Sequence, residues 1–133
     1  MRHTFVLVVA GLLGVGCGIK RVPQSILEKL PYEAKILQAR WSGFAAWIPL
    51  GVDRLDVPVE SPTHLPRPGQ ILLYPGGVSE PELLIPYGAS IFTSAAGPLV
   101  GNHVLTVVDG LEALPELGRR VQWDGAVPVS VRL

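Results

Sequence analysis

The sequence predicts a small, mainly β domain: a closed β-barrel with one or two short helices. Fifteen glycines and thirteen prolines divide the 133 residues into many short segments, and most of those segments read as strands between turns. Many short strands with few helices are typical of a small closed barrel. The length and the high apolar content fit one domain, residues 1–133, with its own hydrophobic core.

The composition excludes several classes of partner. Eleven Lys and Arg residues balance eleven Asp and Glu residues, so no basic surface predicts binding to nucleic acid or to an anionic membrane. Cys17 is the single cysteine. A chain with one cysteine has no internal disulfide framework, which fits a cytoplasmic protein.

The N-terminal segment allows two interpretations. Residues 5–17 are uncharged, and their β-branched content predicts a β-hairpin with strands over residues 4–9 and 12–19 around Ala10 and Gly11. The alternative is a processed lipoprotein signal ending at Cys17, although Gly14 stands where such signals prefer leucine. The run is too short and too rich in glycine to predict a transmembrane helix. We therefore expect a cytoplasmic protein without a membrane partner.

In the first half of the chain, turn residues and prolines delimit each predicted element. Pro23 at the start and Pro31 after the end predict a short helix over residues 23–30. Residues 34–40 read as a strand, and residues 41–50 as a hairpin whose turn lies near Ser42 and Gly43. A turn and a short strand follow over residues 51–57. Four prolines between residues 58 and 68 then predict a stiff extended loop.

In the second half, residues 69–74 and 81–87 read as a central pair of strands separated by a Pro-Gly-Gly turn. The glycine- and alanine-rich connection over residues 88–101 is long enough to shape a binding site. Residues 102–109 read as a strand, and residues 111–117 allow one or two helical turns. Residues 119–123 and 127–132 are predicted to form a last hairpin over Asp124 and Gly125, because Asp-Gly is a strong two-residue turn signal.

Glu80 and Glu82 are the strongest candidates for chemistry. Extended backbone puts residues two apart on one face, and Pro81 favours that backbone at Glu80. Carboxylates held close raise each other's pKa, which suits proton-transfer catalysis. The alternative is that both are solvated acids on a strand edge. Glu80 is the preferred catalytic residue, because it follows the turn and can reach the barrel mouth, whereas Glu82 sits deeper in the strand.

Aromatic residues are candidate walls for a pocket. Trp41 with Trp47, Tyr74 with Tyr87, and Phe92 either fill the core or stack against a planar ring or a delocalised cation.

His103 and Arg40 are the candidate polar ligands. His103 shares strand parity with Leu105 and Val107, so it is either a core histidine or a base at a pocket wall. Arg40 precedes Trp41 and is suited to bind a substrate carboxylate, although plain exposure is the commoner fate of an arginine. The three histidines lie far apart, and no metal, phosphate-loop or Gly-x-Ser-x-Gly motif occurs. No metal or other cofactor is predicted.

Taken together, six segments resemble a bacterial cyclophilin-like family described only as a domain of unknown function. They are Ala-Arg-Trp-Ser-Gly at 39–43, Trp-Ile-Pro-Leu-Gly at 47–51, Pro-Gly-Gln-Ile-Leu-Leu-Tyr-Pro-Gly-Gly at 68–77, Ser-Glu-Pro-Glu-Leu-Leu-Ile-Pro-Tyr-Gly at 79–88, Gly-Asn-His at 101–103, and Leu-Gly-Arg-Arg at 117–120 with Trp123. The resemblance begins near Val22 and implies an eight-stranded cyclophilin-like barrel. It does not imply prolyl isomerase activity, because the arginine-centred peptide groove of true cyclophilins has no recognisable motif in this sequence.

Relatives on this barrel look to include cucumopine and mikimopine synthases and bacterial Pictet–Spenglerases. The resemblance therefore implies a cofactor-independent condensation of a tryptophan- or histidine-like amine with an aldehyde or a 2-oxo acid, in alkaloid, natural-product or opine-type biosynthesis. In this hypothesis Glu80 or Glu82 acts first as acid and then as base, relayed by Tyr74 or Tyr87.

The remaining candidates would bind the substrates. Trp47 and Phe92 would stack on the aromatic ring beside Trp41, and Arg40 or His103 would hold the carboxylate. One alternative function is a non-catalytic domain that binds a carboxylate metabolite with the same residues. Another is a lipid-anchored periplasmic binding module, should the N-terminus be processed. The sequence is compatible with a homo-oligomer and does not identify the amine or the carbonyl partner.

Overall fold

Seven strands close into a barrel in this computed structural model, which describes residues 4–11, 26, 28–57 and 62–133. The strands of the whole structure are β1 (Phe5–Ala10), β2 (Tyr32–Gln38), β3 (Gly43–Pro49), β4 (Pro62–Thr63), β5 (Gln70–Tyr74), β6 (Glu82–Ser90), β7 (Thr93–Ser94), β8 (Gly97–Pro98), β9 (Gly101–Asp109) and β10 (Val127–Arg132). Their order around the barrel is β1-β10-β2-β3-β6-β5-β9, and β9 pairs with β1 to close it. The predicted small closed β-barrel is confirmed.

Among the described residues, seven strands close the barrel, whereas the resemblance implies eight. The eighth strand of the main sheet, β4, pairs only through Pro62 and Thr63 with the start of β9 and takes no part in closing the barrel. A proline has no N–H to donate to a ladder. In the described part of the proline-rich segment, residues 62–68, two residues are paired and the rest forms bends, irregular backbone and the start of a turn, as predicted; residues 58–61 lie outside the described residues.

β1 joins the two ends of the described chain. It pairs in parallel with β10, where Phe5 lies opposite Val129, and antiparallel with β9, where Val9 lies opposite Val107. The Arg120 guanidinium adds a contact 5.1 Å from the centre of the Phe5 ring. The first predicted N-terminal strand is therefore present, as a barrel strand. Its predicted hairpin partner, residues 12–19, lies outside the described residues, as does most of the predicted helix 23–30.

Along β3, β5 and β6, successive side chains pack alternately into two separate apolar clusters, one inside the barrel and one on its outer face. The interior cluster receives residues from all seven barrel strands, among them Ile36, Leu73 and Leu105. The outer cluster lies on the other face of β3, β5 and β6, and it consists of Ala39, Ala45, Leu72, Tyr74, Leu84, Phe92 and Leu99, with Trp47 packed against it. Because successive strand residues point to opposite faces, Leu72 belongs to the outer cluster and Leu73 to the interior.

The C-terminal helix α1 (Leu114–Trp123) follows a 3-10 turn over Leu111–Ala113. It buries Leu114, Leu117, Gly118 and Val121 against the barrel, which is the three-and-four spacing of one helical face. The prediction of a strand over residues 119–123 is therefore wrong. The Asp-Gly signal marks the end of this helix: Gly125 has a φ of 82°, and glycine in that left-handed region ends helices as readily as it makes hairpin turns.

The other elements can be compared directly. Strands occur at 32–38, 43–49, 70–74, 82–90, 101–109 and 127–132, close to six predicted strands. The short strand predicted within residues 51–57 is absent, since this described segment contains only bends and irregular backbone. No helix among the described residues is both long enough and apolar enough to span a bilayer.

Candidate functional site

A cavity of about 460 Å³ opens on the outer face of the barrel, a size that suits a small organic ligand. Four parts of the chain line it: the end of β2 with the turn to β3, the middle of β3, the loop before β6 with the first residue of that strand, and the ribbon β7–β8. The lining residues are Leu37, Gln38, Ala39, Arg40, Trp41, Ser42, Trp47, Val78, Ser79, Glu80, Glu82, Thr93, Ser94, Ala95 and Ala96. We call residues 39–42 the rim turn and residues 93–98 the covering hairpin.

Glu82 is the buried acid of this cavity. It is the first residue of β6, lies opposite Tyr74 on β5 and Pro49 on β3, and is only 8% exposed. Burial, and secondarily the negative charge of Glu80, raise the pKa of Glu82 to about 7. At neutral pH both the acid and its conjugate base are therefore populated, which is the condition for a side chain that both donates and accepts a proton.

Glu80 lies at the edge of the same cavity and is exposed. Its loop is held by Tyr74, whose hydroxyl oxygen accepts hydrogen bonds from the backbone N–H groups of Val78 (3.0 Å) and Ser79 (3.3 Å). The structure thus brings the two predicted carboxylates to one site with unequal burial.

Tyr74 and Phe92 support the cavity from below. Tyr74 is 7% exposed and Phe92 1% exposed, and their rings meet edge to face with centroids 5.8 Å apart. Neither lines the cavity. Phe92 anchors the covering hairpin in the outer cluster, while Tyr74 anchors the loop that carries Glu80.

Trp41, Trp47 and Arg40, which the sequence analysis names as candidate substrate contacts, all line the cavity. Trp47 is a partly buried wall in the middle of β3, beside Leu84 and Leu37 in the neighbouring strands. Arg40 and Trp41 are exposed on the rim turn, and both line the cavity. An indole face on the wall and a guanidinium on the rim together suit an aromatic molecule that carries a carboxylate.

The cavity is held together across its mouth by Ser42. The Ser42 hydroxyl donates to the Thr93 carbonyl (3.1 Å) and accepts from the Thr93 N–H (3.2 Å). The backbone N–H of Ile91 also donates to the Ser42 carbonyl (3.1 Å). These bonds join the rim turn to the covering hairpin, so two walls that are distant in sequence form one surface.

His103 lies away from the cavity, and its predicted parity is wrong. A β-bulge shifts the β5–β9 register, so His103 lies opposite Leu72 whereas Leu105 lies opposite Ile71. Because an extra residue in one strand changes which face the following side chains occupy, His103 and Leu105 point to opposite faces. The His103 Nε2 lies 2.8 Å from the Thr106 Oγ1, and the residue does not line the cavity.

Tyr87 also lies outside the cavity lining. Its hydroxyl donates to the Gln38 Oε1 (2.6 Å) and accepts from the Gln122 Nε2 (2.6 Å). Its ring meets Phe44 edge to face, with centroids 6.2 Å apart. Its hydrogen bond to Gln38 links it to a residue that lines the cavity.

Most of the segments that carry the family resemblance contribute to this cavity or to the strands beneath it. A family model for proteins of unknown function, DUF3830, matches residues 20–133. The chain belongs to the DUF3830 family. No curated protein is significantly similar to it.

Sequence reasoning missed several residues of this DUF3830 site. Gln38 and Ser42 gave no signal beyond a strand end and a turn, because their partners lie 49 and 51 residues away. The covering hairpin falls in the connection that was predicted to shape a site, although its individual residues were not identified. Among the described residues, no group of three or more His, Cys, Asp or Glu side chains is placed to hold a metal ion.

Proposed function

We propose that this DUF3830 protein catalyses a Pictet–Spengler-type condensation: a tryptophan- or histidine-like amine reacts with an aldehyde or a 2-oxo acid and closes a new ring. The observation that carries the proposal is the buried Glu82, whose pKa is about 7, on a cavity walled by Trp47 and bordered by Arg40 and Trp41. A single group whose pKa lies near neutral pH can serve both proton transfers of this reaction, as an acid in the first and as a base in the second.

The first chemical step needs an acid. After the amine adds to the carbonyl carbon, the resulting carbinolamine must lose its hydroxyl as water, and protonated Glu82 donates the proton that makes water the leaving group. The product is an iminium cation beside the newly ionised Glu82 carboxylate. Glu80 adds negative charge at the cavity edge, which favours formation of the iminium cation.

The second step needs a base. The π-system of the aromatic ring attacks the iminium carbon, a carbon–carbon bond forms, and the ring then loses a proton to the Glu82 carboxylate. This restores both the aromatic ring and protonated Glu82, so the net reaction joins the amine and the carbonyl compound and releases one water. No atom requires an external oxidant or reductant, so the reaction as written needs no redox cofactor.

The cavity walls supply orientation. Trp47 offers an aromatic face against which the substrate ring can stack, and Arg40 can pair with the carboxylate of the amino acid or of the 2-oxo acid. Holding the iminium carbon over the ring is the main task, because proximity and orientation can lower such a barrier by several kcal/mol, on the order of 7 in well-aligned cases.

The test is a substrate panel. Tryptophan and histidine derivatives are incubated with small aldehydes and with 2-oxo acids, and the products are separated on a chiral column. We expect one pair to give an enantiomerically enriched cyclic product that depends on Glu82. Racemic product at the uncatalysed rate across the whole panel would contradict the proposal.

A second candidate function is binding without turnover. The exposed Arg40 on the rim, facing a cavity with two carboxylates, is equally suited to a zwitterionic metabolite that is carried or sensed. A ligand from the same panel that raises the melting temperature and is recovered unchanged would favour this function.

A further inference from the structure

The hydroxyl of Tyr87 lies in a chain of hydrogen bonds that leads from helix α1 to the cavity. It donates to the Gln38 Oε1 and accepts from the Gln122 Nε2, both at 2.6 Å. A tyrosine has one O–H to donate. Because that hydrogen goes to Gln38, Tyr87 carries no free donor toward the cavity.

Gln38 in turn bonds to the first residue of the rim turn and to the residue that follows its end. Its Nε2 donates to the Gly43 carbonyl (2.9 Å) and to the Ala39 carbonyl (3.3 Å). A glutamine amide has two N–H donors and one carbonyl oxygen. All three engage protein atoms, so Gln38 lines the cavity with its polar groups already committed to the turn.

The rim turn carries the parts of the cavity that would recognise a substrate. Arg40 and Trp41 extend from it, and its last residue, Ser42, is bonded to Thr93 across the mouth. The turn is thus held on one side by the covering hairpin and on the other by Gln38. Loss of the Gln38 side-chain bonds would leave this side of the turn with the backbone hydrogen bond from the Ala39 N–H to the Ala45 carbonyl (2.9 Å).

Helix α1 fixes Tyr87 from behind. A Cβ added at Gly118 would overlap the Tyr87 ring, so the helix backbone packs directly against it, and Gln122 sits one turn later to bond the hydroxyl. The ring and the hydroxyl are therefore both held by one rigid element.

We propose that Tyr87 is a positioning residue for substrate recognition: through Gln38 it holds the rim turn so that Arg40 and Trp41 face the ligand. This replaces the proton-relay role predicted from the sequence. The inference deepens the proposed function and rests on it for the kinetic part of its test, whereas its structural part is independent of turnover.

The structural part compares Tyr87→Phe, which keeps the ring and removes the hydroxyl, with Tyr32→Phe as a matched control. The Tyr32 hydroxyl donates to the Pro49 carbonyl at 3.5 Å, and Tyr32 does not line the cavity. Hydrogen exchange is followed by mass spectrometry in peptides covering residues 39–43 and 127–132. We expect exchange at 39–43 to accelerate about fivefold or more in Tyr87→Phe, with no change at 127–132 and no change at 39–43 in the control. If residues 39–43 exchange at the wild-type rate in a folded Tyr87→Phe protein, the proposal is overturned.

The kinetic part uses the best pair from the substrate panel. Tyr87→Phe should raise KM for the carboxylate-bearing amine about fivefold, leave kcat within about twofold, and leave the pH midpoint of kcat unchanged. In an Arg40→Ala background the same change should raise KM by less than in the wild type, because only one of the two side chains that Tyr87 positions, Trp41, remains. A drop of about a hundredfold in kcat with KM unchanged would show a proton relay and overturn the positioning role. Should the wild type turn over no pair, the proposed function fails, and the exchange comparison decides the positioning role alone.

Discussion

The two apolar clusters of this barrel differ in what surrounds them. The interior cluster is enclosed by seven strands and by α1. The outer cluster is covered on one side only, by the covering hairpin and its flanking Phe92 and Leu99, and Glu82 and the cavity lie at its border. The interior of this small barrel is filled by side chains, and the cavity lies on its outer face. The thin cover over the outer face is what allows the carboxyl group of Glu82 to be desolvated and still to border an open cavity.

The largest predicted effect is on the free energy of unfolding, and it comes from replacing either of two adjacent residues, Leu73 and Leu72, by alanine. Both are fully buried leucines on β5, but Leu73 faces the interior cluster and Leu72 the outer one. We expect Leu73→Ala to lower the free energy of unfolding by about 4 kcal/mol and Leu72→Ala by about 2–3 kcal/mol, because a thin cover can settle into a cavity better than a closed barrel can. Urea unfolding of both variants measures the difference. Equal losses would mean that the outer cluster is enclosed as rigidly as the interior.

The second prediction concerns the two glutamates at the border. Glu82→Gln keeps the shape and removes proton transfer, so turnover of the active pair should fall by about a hundredfold or more. Glu80→Gln should lower turnover by less than about tenfold, since an exposed carboxylate contributes little. Melting temperatures of both variants show whether they are folded. Should Glu80→Gln be the inactive one, the preference that the sequence gives to Glu80 is correct and burial is not what selects the catalytic acid.

The third prediction follows from the sign of the Glu82 shift. The pKa of Glu82 in the folded protein, about 7, lies above its ordinary value of 4.5, which applies in the unfolded chain. The folded state therefore loses stability relative to the unfolded state as the pH rises from about 4.5 to about 7. Below about pH 4.5 no such loss occurs, because the carboxyl group is protonated in both states. Near pH 8, Glu82→Gln should therefore be more stable than the wild type by up to about 3 kcal/mol.

This difference should vanish near pH 4, where glutamate is protonated in both the folded and the unfolded state. Unfolding free energies of both proteins across that range provide the measurement. Glu80→Gln serves as the control: it should keep the pH dependence but move its midpoint lower, because the charge of Glu80 contributes to the shift. A wild type and a Glu82→Gln variant with parallel profiles would contradict the desolvated state of Glu82.

The smallest effect concerns Gly118, where α1 meets β6. Replacing a helical glycine by alanine normally stabilises a protein by about 1 kcal/mol, but here the added Cβ would overlap the Tyr87 ring. Overpacking costs about 1–3 kcal/mol, so we expect a net loss of about 1 kcal/mol. Thermal unfolding measures it, and Gly118→Ala combined with Tyr87→Leu should recover stability relative to Tyr87→Leu alone. If Gly118→Ala in the wild-type background increases stability, the Tyr87 ring moves aside to make room for the added Cβ.

The strands were predictable because their signals are local. Residues 70–74 and 82–90 are flanked by glycine and proline and are rich in β-formers, and tertiary packing agrees with that preference. The helical state of residues 119–123 was not predictable from the same kind of signal, because Asp124-Gly125 is compatible both with a hairpin turn and with the end of a helix. The Leu114, Leu117 and Val121 spacing was the information that distinguishes them.

The site was predictable in part, for a related reason. Glu80 and Glu82 were found because two residues on one short segment stay together in any fold. Tyr87 and His103 were assigned to the site and lie outside the cavity, because the position of one strand relative to another depends on curvature and on a bulge that no local pattern encodes. Ser42 and Gln38 were missed since their function arises from bonds to residues far along the chain.

The parallel pairing of β1 with β10 has a consequence for biosynthesis. Phe5 of β1 faces Val129 of β10, so a ribosome that has made β1 must also synthesise α1 and β10 before the strands on both sides of β1 are available. Until then the nascent chain carries unpaired strand edges and apolar faces, which are the features that chaperones bind and that promote aggregation. Contacts between strands so far apart in sequence also slow folding after release. The late arrival of β10 thus sets the moment at which this chain can complete its fold.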